Sequence, residues 1–371
     1  SMAEPVAHPA SASGGARARP AWARPAFWGL FLLLVLAEGA ARVWGPEPPS
    51  CATSRRNPYR FRGWPEYVEG TAEASAGRRT VVILTNCQGY GAEVPGWAGY
   101  PAALEGELAE RRVLGDADWR VVNWALDGAT SIEYVVLAAY LRNLKPAAVV
   151  VSLAFADFRA EHFAESWRYV RSDVPRLATR PAVFRHLPRT FWRRHARVED
   201  ALDAWATDHC ALLRAKEFAW SWLEEHLPGS HFALYAPAIN YHPWRISGLR
   251  AWRPPIRPVG VARIQDLDLL YDERSTAMLD ELVDVLAGGP APVALVAQPF
   301  RDGHVHAATF AWDLETAAAR HGLPFWNLQH AIPREEFMTS NHLNHRGHRR
   351  LARELNARLD VWLAAGTGDN P

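Results

Sequence analysis

Short apolar runs recur along the chain at 80–84, 119–123, 147–153, 232–236, 293–297 and, more weakly, 324–328. Most are apolar at consecutive positions rather than alternate ones, so both faces of each strand need cover. Between them, apolar residues fall three and four apart at 100–112, 131–144, 276–286 and 312–321, the spacing of a helix with one buried face. Strand followed by helix, repeated, predicts an α/β domain on a parallel sheet covered on both sides. No internal repeat is visible.

Two stretches break this rhythm. Residues 158–227 are rich in Arg and aromatics, helical in period, and cut by Pro175, Pro181 and Pro188. They read as a helical insertion over the carboxyl ends of the strands, where α/β sites lie. Its arginines (among them Arg159, Arg176, Arg185 and Arg193) either meet an anionic lipid or polymer or form a solvated charged face. Residues 241–268, with Pro243, Pro254, Pro255 and Pro258, are a substrate loop or a long connection.

The amino-terminal region has its own pattern. Ser1-Met2 reads as a cloning remnant, and 1–25 is a basic, disordered segment rich in Ala, Pro, Ser and Gly. A run from Ala26 to Ala37 follows Arg17, Arg19 and Arg24, an order that favours insertion with the amino terminus inside. The run reaches bilayer length only when extended to about residue 45, which takes in Glu38 and Arg42. A retained signal anchor and a cleaved secretory signal both fit; the cleavage signal around Ala37-Glu38-Gly39 is poor. Residues 46–79 form a linker and lead-in, and 80–365 the α/β domain with its 158–227 insertion.

Bulk properties narrow the choices a little. The chain has 371 residues, 49% hydrophobic, with a formal net charge of +1, enough for a large packed core. Near-neutral charge gives no reason to invoke nucleic acid. There are three cysteines. Cys51 and Cys210 pair in an oxidising compartment and leave Cys87 as a thiol, or all three are unrelated buried thiols. No cysteine spacing suits a metal, and no cofactor is implied.

Candidate chemistry is split between two distant segments. Thr85-Asn86-Cys87-Gln88-Gly89-Tyr90-Gly91 follows the first apolar run and reads as a strand ending in a sharp turn. His342-Leu343-Asn344-His345-Arg346-Gly347-His348 opens an amphipathic helix with Leu351, Ala352, Leu355 and Leu359 on one face. A nucleophile at a strand end and a base far along the chain is a common way to assemble an α/β hydrolytic site. The other histidines, His345 and His348, fall on the new helix among Arg346, Arg349 and Arg350 and read as a solvated face rather than metal ligands. Arg301, after the 293–297 strand, is a candidate for binding an anionic group or a plain loop charge. Trp97, Trp124 and Trp244 stack on sugars or pack in the core.

These segments resemble the blocks of the SGNH (GDSL-like) hydrolases over about 80–362, the insertion excepted. The resemblance implies a three-layer α/β/α, flavodoxin-like fold. Cys87 stands where that family has its nucleophilic Ser. Gly128, in Val122-Asn123-Trp124-Ala125-Leu126-Asp127-Gly128, matches the Gly whose N–H faces the oxyanion. Val150-Val151-Ser152-Leu153-Ala154-Phe155-Ala156-Asp157 keeps an Asp but has Ala156 in place of the oxyanion Asn. Thr339-Ser340-Asn341-His342 keeps the His and replaces the orienting Asp with Thr339. The anchor-plus-domain layout also resembles membrane-anchored members, such as DltD-like and alginate-acetylation proteins, that move acyl groups onto envelope polymers.

A thiol is a better nucleophile near neutral pH than a hydroxyl, and a nearby imidazolium or helix N-terminus lowers its pKa. A Cys–His pair therefore depends less on a carboxylate. Thr339, Asp157, Asp127 or a backbone carbonyl would fix the imidazole tautomer. The lost oxyanion donor is costlier, typically ~10²–10³ in rate. The donors left are the N–H groups of Cys87 and Gly128, with the side chain of Asn86, Gln88 or Asn123. The expectation is an extracytoplasmic, membrane-anchored protein of a bacterial cell envelope. It would transfer acyl groups from a donor to a carbohydrate or envelope polymer through a thioester. The alternatives are an inactive scaffold for such a polymer or for a membrane-bound acyltransferase, and a small-substrate esterase or thioesterase.

Overall fold

The computed structural model describes residues 25–45, 50–52, 63–91, 99–111, 118–126, 128–158, 172–195, 198–215, 271–301, 305–339 and 341–366. The apolar run at 232–236, the irregular stretch at 241–268 and the segment at 1–24 lie outside them. The chain divides into two compact units, Ser1–Gly45 and Pro46–Pro371. In the first, a helix α1 (Pro25–Trp44) leaves its apolar residues exposed, and Glu38 pairs with Arg42 one turn on. It has 20 residues, with an 18-residue stretch of mean hydropathy 1.7, which makes it long and apolar enough to cross a membrane.

The second unit is built on five parallel strands: β1 (Arg79–Thr85), β2 (Trp119–Ala125), β3 (Ala148–Leu153), β4 (Val293–Ala297) and β5 (Phe325–Asn327). Their order is β2-β1-β3-β4-β5, the flavodoxin-like arrangement. β1, β3 and β4 are buried along nearly their whole length, which is why their sequences run apolar without alternation. Val81, Ile83, Val121 and Val150 face one layer, formed by α5 (Tyr100–Arg111) and α12 (His345–Gly366). Val82, Leu84, Val149, Val151 and Leu295 face the other, formed by α6 (Ser131–Leu141), α10 (Glu273–Ala287) and α11 (Val305–Arg320). Leu351, Ala352, Leu355 and Leu359 are the buried face of α12, as their spacing predicts.

The lead-in is less of a linker than its polar composition suggests. Two short helices, α2 (Trp64–Glu69) and α3 (Thr71–Ala74), bury Trp64, Tyr67 and Val68 in the core of the α6 layer.

The insertion also departs from expectation. Its described part runs as a 3₁₀ turn (Val174–Thr179), then α7 (Pro181–Phe184), α8 (Arg189–His195) and α9 (Val198–His209). It lies against the outside of α6 rather than over the strand ends. Ser172 meets Glu133 in the first turn of α6, while Asn143, just past its last turn, bonds the Ala182 carbonyl and Arg185. The cause is α6 itself. Its sequence, Ser-Ile-Glu-Tyr-Val-Val-Leu-Ala-Ala-Tyr-Leu, has no polar face, so it needs cover on the side away from the sheet. Val174, Leu177, Ala178 and Val183 supply it. Arg176 is not a solvated charge either. Burial works against its charge, but Asp173 (2.8 Å), Glu66 (2.8 Å) and Asp208 (2.6 Å) outweigh that and raise its pKa. The same Asp173 accepts the N–H groups of Gly63 and Trp64, joining insertion to lead-in.

One glycine fixes how α12 begins. A Cβ at Gly347 would lie 2.5 Å from the Glu336 carbonyl oxygen and 3.1 Å from the Leu343 Cβ. Glu336 is held there by a two-pronged pair with Arg350, at 2.8 Å for each prong. The helix start is thus pressed on backbone that has nowhere to go. Gly347→Ala should lower unfolding stability by about 1–3 kcal/mol, the usual cost of overpacking; urea denaturation measures it, and an unchanged midpoint would refute the close approach.

Candidate active site

β1 ends at Thr85, and the chain turns at once into the four-residue helix α4 (Cys87–Tyr90). Asn86 makes this turn: its backbone is extended and its side-chain oxygen accepts the Gln88 N–H at 3.0 Å, an N-cap. Cys87 is therefore the first residue of a helical turn at the carboxyl edge of the sheet, half-buried. β3, the other strand flanking the point where the strand order reverses, ends beside it in a 3₁₀ turn (Phe155–Phe158). Open α/β sheets place their ligands at that point.

His342 comes from a tight loop closed by an antiparallel bridge between Phe337 and Leu343. The Met338 N–H donates to the His342 carbonyl at 2.8 Å, and the His342 N–H donates to the Thr339 hydroxyl at 3.1 Å. This sets the imidazole Nε2 3.0 Å from Cys87 Sγ, across 255 positions of sequence. The two segments singled out in the sequence thus meet.

The supporting residues take different places from those expected. Gln88 spends its amide nitrogen on two main-chain carbonyls, Pro299 at 3.0 Å and Asn341 at 2.7 Å. It ties the β4 loop and the His342 loop to the nucleophile turn, and so has no N–H left for an oxyanion. Asn86 donates to both oxygens of Asp157, at 3.0 and 2.9 Å. Asn123 donates to the Gly89 carbonyl at 3.1 Å and accepts the Ala125 N–H. Both read as structural ties rather than oxyanion donors. Asp157 accepts from Asn86, from the Ala154 N–H at 2.9 Å and from the Tyr134 hydroxyl at 3.2 Å, so its carboxylate orients the nucleophile turn instead of the imidazole. Burial, and then the adjacent Asp157 charge, raise the Tyr134 pKa and keep its hydroxyl a donor. The Thr339 hydroxyl engages the His342 main chain and the Asn341 side-chain oxygen (3.3 Å). It shapes the loop where a carboxylate would have addressed the ring.

Gly128 stands three residues past the end of β2, whose Ala125 pairs in register with Thr85. Its φ of 65° is left-handed, a conformation open to glycine and costly for other residues. Asp127 lies outside the described residues. Ala156 sits in the turn after β3 and offers no side-chain donor. Behind Gly128, buried Glu133 accepts the Thr130 N–H at 2.7 Å and the Ser172 hydroxyl, fixing the loop to α6. Burial pushes its carboxyl from the ordinary 4.5 up to about 6, against hydrogen bonds from Ser172 and Thr130 that lower it.

Arg301 follows Pro299 and Phe300 past β4, two residues beyond the carbonyl that Gln88 holds. His345 is exposed, but His348 is buried against α5: its Nδ1 accepts the Tyr100 N–H at 3.2 Å and its ring stacks on Tyr100. It closes the α5–α12 contact and is no part of a solvated face. Trp124 is core, its indole N–H bonded to Thr71; Trp97 and Trp244 lie outside the described residues. No disulfide joins Cys51 to Cys210. Cys51 is buried beside the Thr71 hydroxyl at 3.3 Å, and burial raises its pKa. Among the described residues no cluster of His, Cys, Asp and Glu is arranged to hold a metal ion. Sequence reasoning passed over Asn341, whose side-chain nitrogen lies 3.7 Å from Cys87 Sγ. Only its place beside His342 could have marked it.

No family model and no curated protein matches the sequence. Solved structures with a similar course of chain include the acetylxylan esterase Axe2 from Geobacillus stearothermophilus, at 13% identity and a TM-score of 0.39, covering 76% of this chain and 94% of that one. The psychrotrophic esterase EstA from Pseudoalteromonas sp. is also similar, at 13% identity and a TM-score of 0.39, covering 77% and 99%. A third is the carbohydrate acetylesterase Est24 from Sinorhizobium meliloti, at 10% identity and a TM-score of 0.37, covering 77% and 100%.

Two outcomes follow from this geometry. Gln88→Leu strands two carbonyls and frees two loops; it should cost about 1–3 kcal/mol of stability and slow Cys87 alkylation by iodoacetamide, whereas an unchanged rate would show that the tie does not position His342. Glu133 binds its proton more tightly in the folded protein than in the unfolded chain. Its favourable contribution is therefore complete below about pH 4.5 and is lost as pH rises through about 6. Glu133→Gln should match the wild type near pH 4 and exceed it at pH 7.5 by on the order of 1–2 kcal/mol, read from urea midpoints at the two pH values.

Proposed function

We propose that this protein transfers acyl groups through a Cys87–His342 pair, forming a thioester on Cys87. The observation that carries the reading is the 3.0 Å separation of Nε2 and Sγ at the carboxyl edge of the sheet. Hydrogen-bond reach between nucleophile and base is what such catalysis requires. A scaffold has no need of it and would let the sulfur sink into the core, yet Cys87 is only partly buried.

The chemistry runs as follows. The thiol proton passes to His342, and the thiolate attacks the carbonyl carbon of an ester. An S–C bond forms as the carbonyl electron pair moves onto oxygen. That anion is held by the N–H groups of Cys87 and Gly128, the latter presented by a left-handed backbone. Collapse of the intermediate expels the alkoxide, which takes the proton from His342 and leaves a thioester. An acceptor hydroxyl, deprotonated by His342, then attacks the thioester and releases the thiol. No cofactor enters any step.

A thioester favours attack by a positioned alcohol over water, which supports a transferase acting on a carbohydrate or an envelope polymer, with Arg301 at the rim for an anionic group. The same pair would serve a small-substrate esterase. The exposed apolar length of α1 supports attachment to a membrane, with the α/β domain on the outer side of a bacterial cell envelope. A membrane-bound acyltransferase would be a suitable source of acyl groups.

The test is Cys87 alkylation against pH, followed by intact mass, in wild type and His342→Ala. The wild-type rate should stay high on the acid side of the ordinary thiol pKa of about 8.5, and the variant should react only on the alkaline side. Slow alkylation that ignores the substitution would retire the enzymatic reading in favour of a scaffold. Turnover of p-nitrophenyl acetate with and without added oligosaccharide then separates transferase from esterase.

A further inference from the structure

We infer that Asn341 is a catalytic residue whose side-chain amide donates to the oxyanion formed when Cys87 attacks a carbonyl. The inference rests on the acyl-transfer reading above and adds to it the donor missing at Ala156.

Geometry comes first. Asn341 Nδ2 lies 3.7 Å from Cys87 Sγ, long for a firm bond to sulfur. A carbonyl carbon bonded to Sγ carries its oxygen one bond angle away. A donor at this distance from sulfur can therefore come within the about 2.7–3.1 Å that an oxyanion donor needs.

Asn341 is also held at two points, its main chain and its side-chain oxygen. Its main-chain carbonyl accepts Gln88 Nε2 at 2.7 Å. Its side-chain oxygen accepts the Thr339 hydroxyl at 3.3 Å, and that hydroxyl in turn accepts the His342 N–H at 3.1 Å. Because the hydroxyl already accepts from His342, its proton is available to Asn341 Oδ1. This decides which end of the amide faces the sulfur, and the end is NH₂. A donor fixed before the reaction needs no reorganisation during it.

The other amides near the nucleophile are committed elsewhere: Asn86 to Asp157, Gln88 to Pro299 and Asn341, Asn123 to Gly89. Among the described side chains of the site, Asn341 is the one whose amide nitrogen faces Cys87.

Two reagents separate an oxyanion donor from a residue that merely shapes the loop. Iodoacetamide alkylates the thiolate by displacement and makes no oxyanion at the attacked carbon; p-nitrophenyl acetate acylates the same sulfur and does. Both rates are measured on the full chain, in wild type and Asn341→Ala, by intact mass and nitrophenol release. Acylation should fall by ~10²–10³ while alkylation changes only a few-fold, which also shows that the Cys87–His342 pair survives the substitution. Thr339→Val, which leaves the amide present but unoriented, should give an intermediate loss of acylation. Equal loss of both rates in Asn341→Ala would overturn the oxyanion role, and so would loss of neither. Wild-type protein that alkylates but never acylates would bring down the acyl-transfer reading itself and this inference with it, whereas a wild type that acylates alongside an unimpaired Asn341→Ala would sink the inference alone.

Discussion

Everything at the carboxyl edge depends on one buried amide. A parallel sheet brings its strand ends to a common edge, but it does not join the loops that leave them. Gln88 does so with a single nitrogen, bonded to Pro299 after β4 and to Asn341 before α12. The sequence separations are 211 and 253 residues, so each bond fixes a contact that chain connectivity does nothing to favour. Each carbonyl would otherwise be a polar group without a partner, at a cost of about 1–3 kcal/mol where it is buried. Cys87 precedes Gln88 in the chain and His342 follows Asn341. Tying Gln88 to Asn341 thus brings nucleophile and base together almost as a by-product.

The polar groups around the sulfur share a second property: they are neutral. Asn86, Gln88, Asn123, Thr339 and Asn341 supply hydrogen bonds without charge, and both oxygens of the Asp157 carboxylate accept from the Asn86 amide. A hydroxyl nucleophile needs a strong base and gains from a carboxylate behind the imidazole. A thiolate paired with an imidazolium already holds its own charges, and a carboxylate alongside would repel the sulfur. Amides and a hydroxyl, rather than acids, suit a sulfur at position 87.

What could be read in the sequence follows from the range of each interaction. β1 to β4 and the buried face of α12 were legible because uninterrupted apolar runs and three-four spacing are local consequences of burial. Cys87 and His342 were legible because strand-then-turn and loop-then-helix patterns place them at element ends. The jobs of Gln88, Asp157 and Thr339 were not. A polar side chain beside a strand end or in a loop can serve as donor, cap or tie, and only its partners decide: those of Gln88 lie 211 and 253 residues away, Asn86 lies 71 residues from Asp157, and Thr339 bonds within its own loop. His348 shows the same limit, since a His among arginines on a helix reads as solvated until Tyr100 is seen against it. The described part of the insertion lies against α6 for a subtler reason. The sequence marks the insertion as helical and extra, but the place of its described part is set by α6, whose polar-free surface needs an outer cover.

Thr339, Ala156 and Cys87 make more sense together than apart. A carboxylate at 339 would accept the His342 N–H as the hydroxyl does, but it would have no proton to give Asn341 Oδ1. The amide would then turn its nitrogen toward the carboxylate and its oxygen toward the sulfur. Thr339 reverses that preference: it accepts from His342, donates to Asn341 and leaves the NH₂ group facing Cys87. With Asn341 as a donor on the loop that bears the base, the turn after β3 need not provide one, and a methyl group at Ala156 is tolerable.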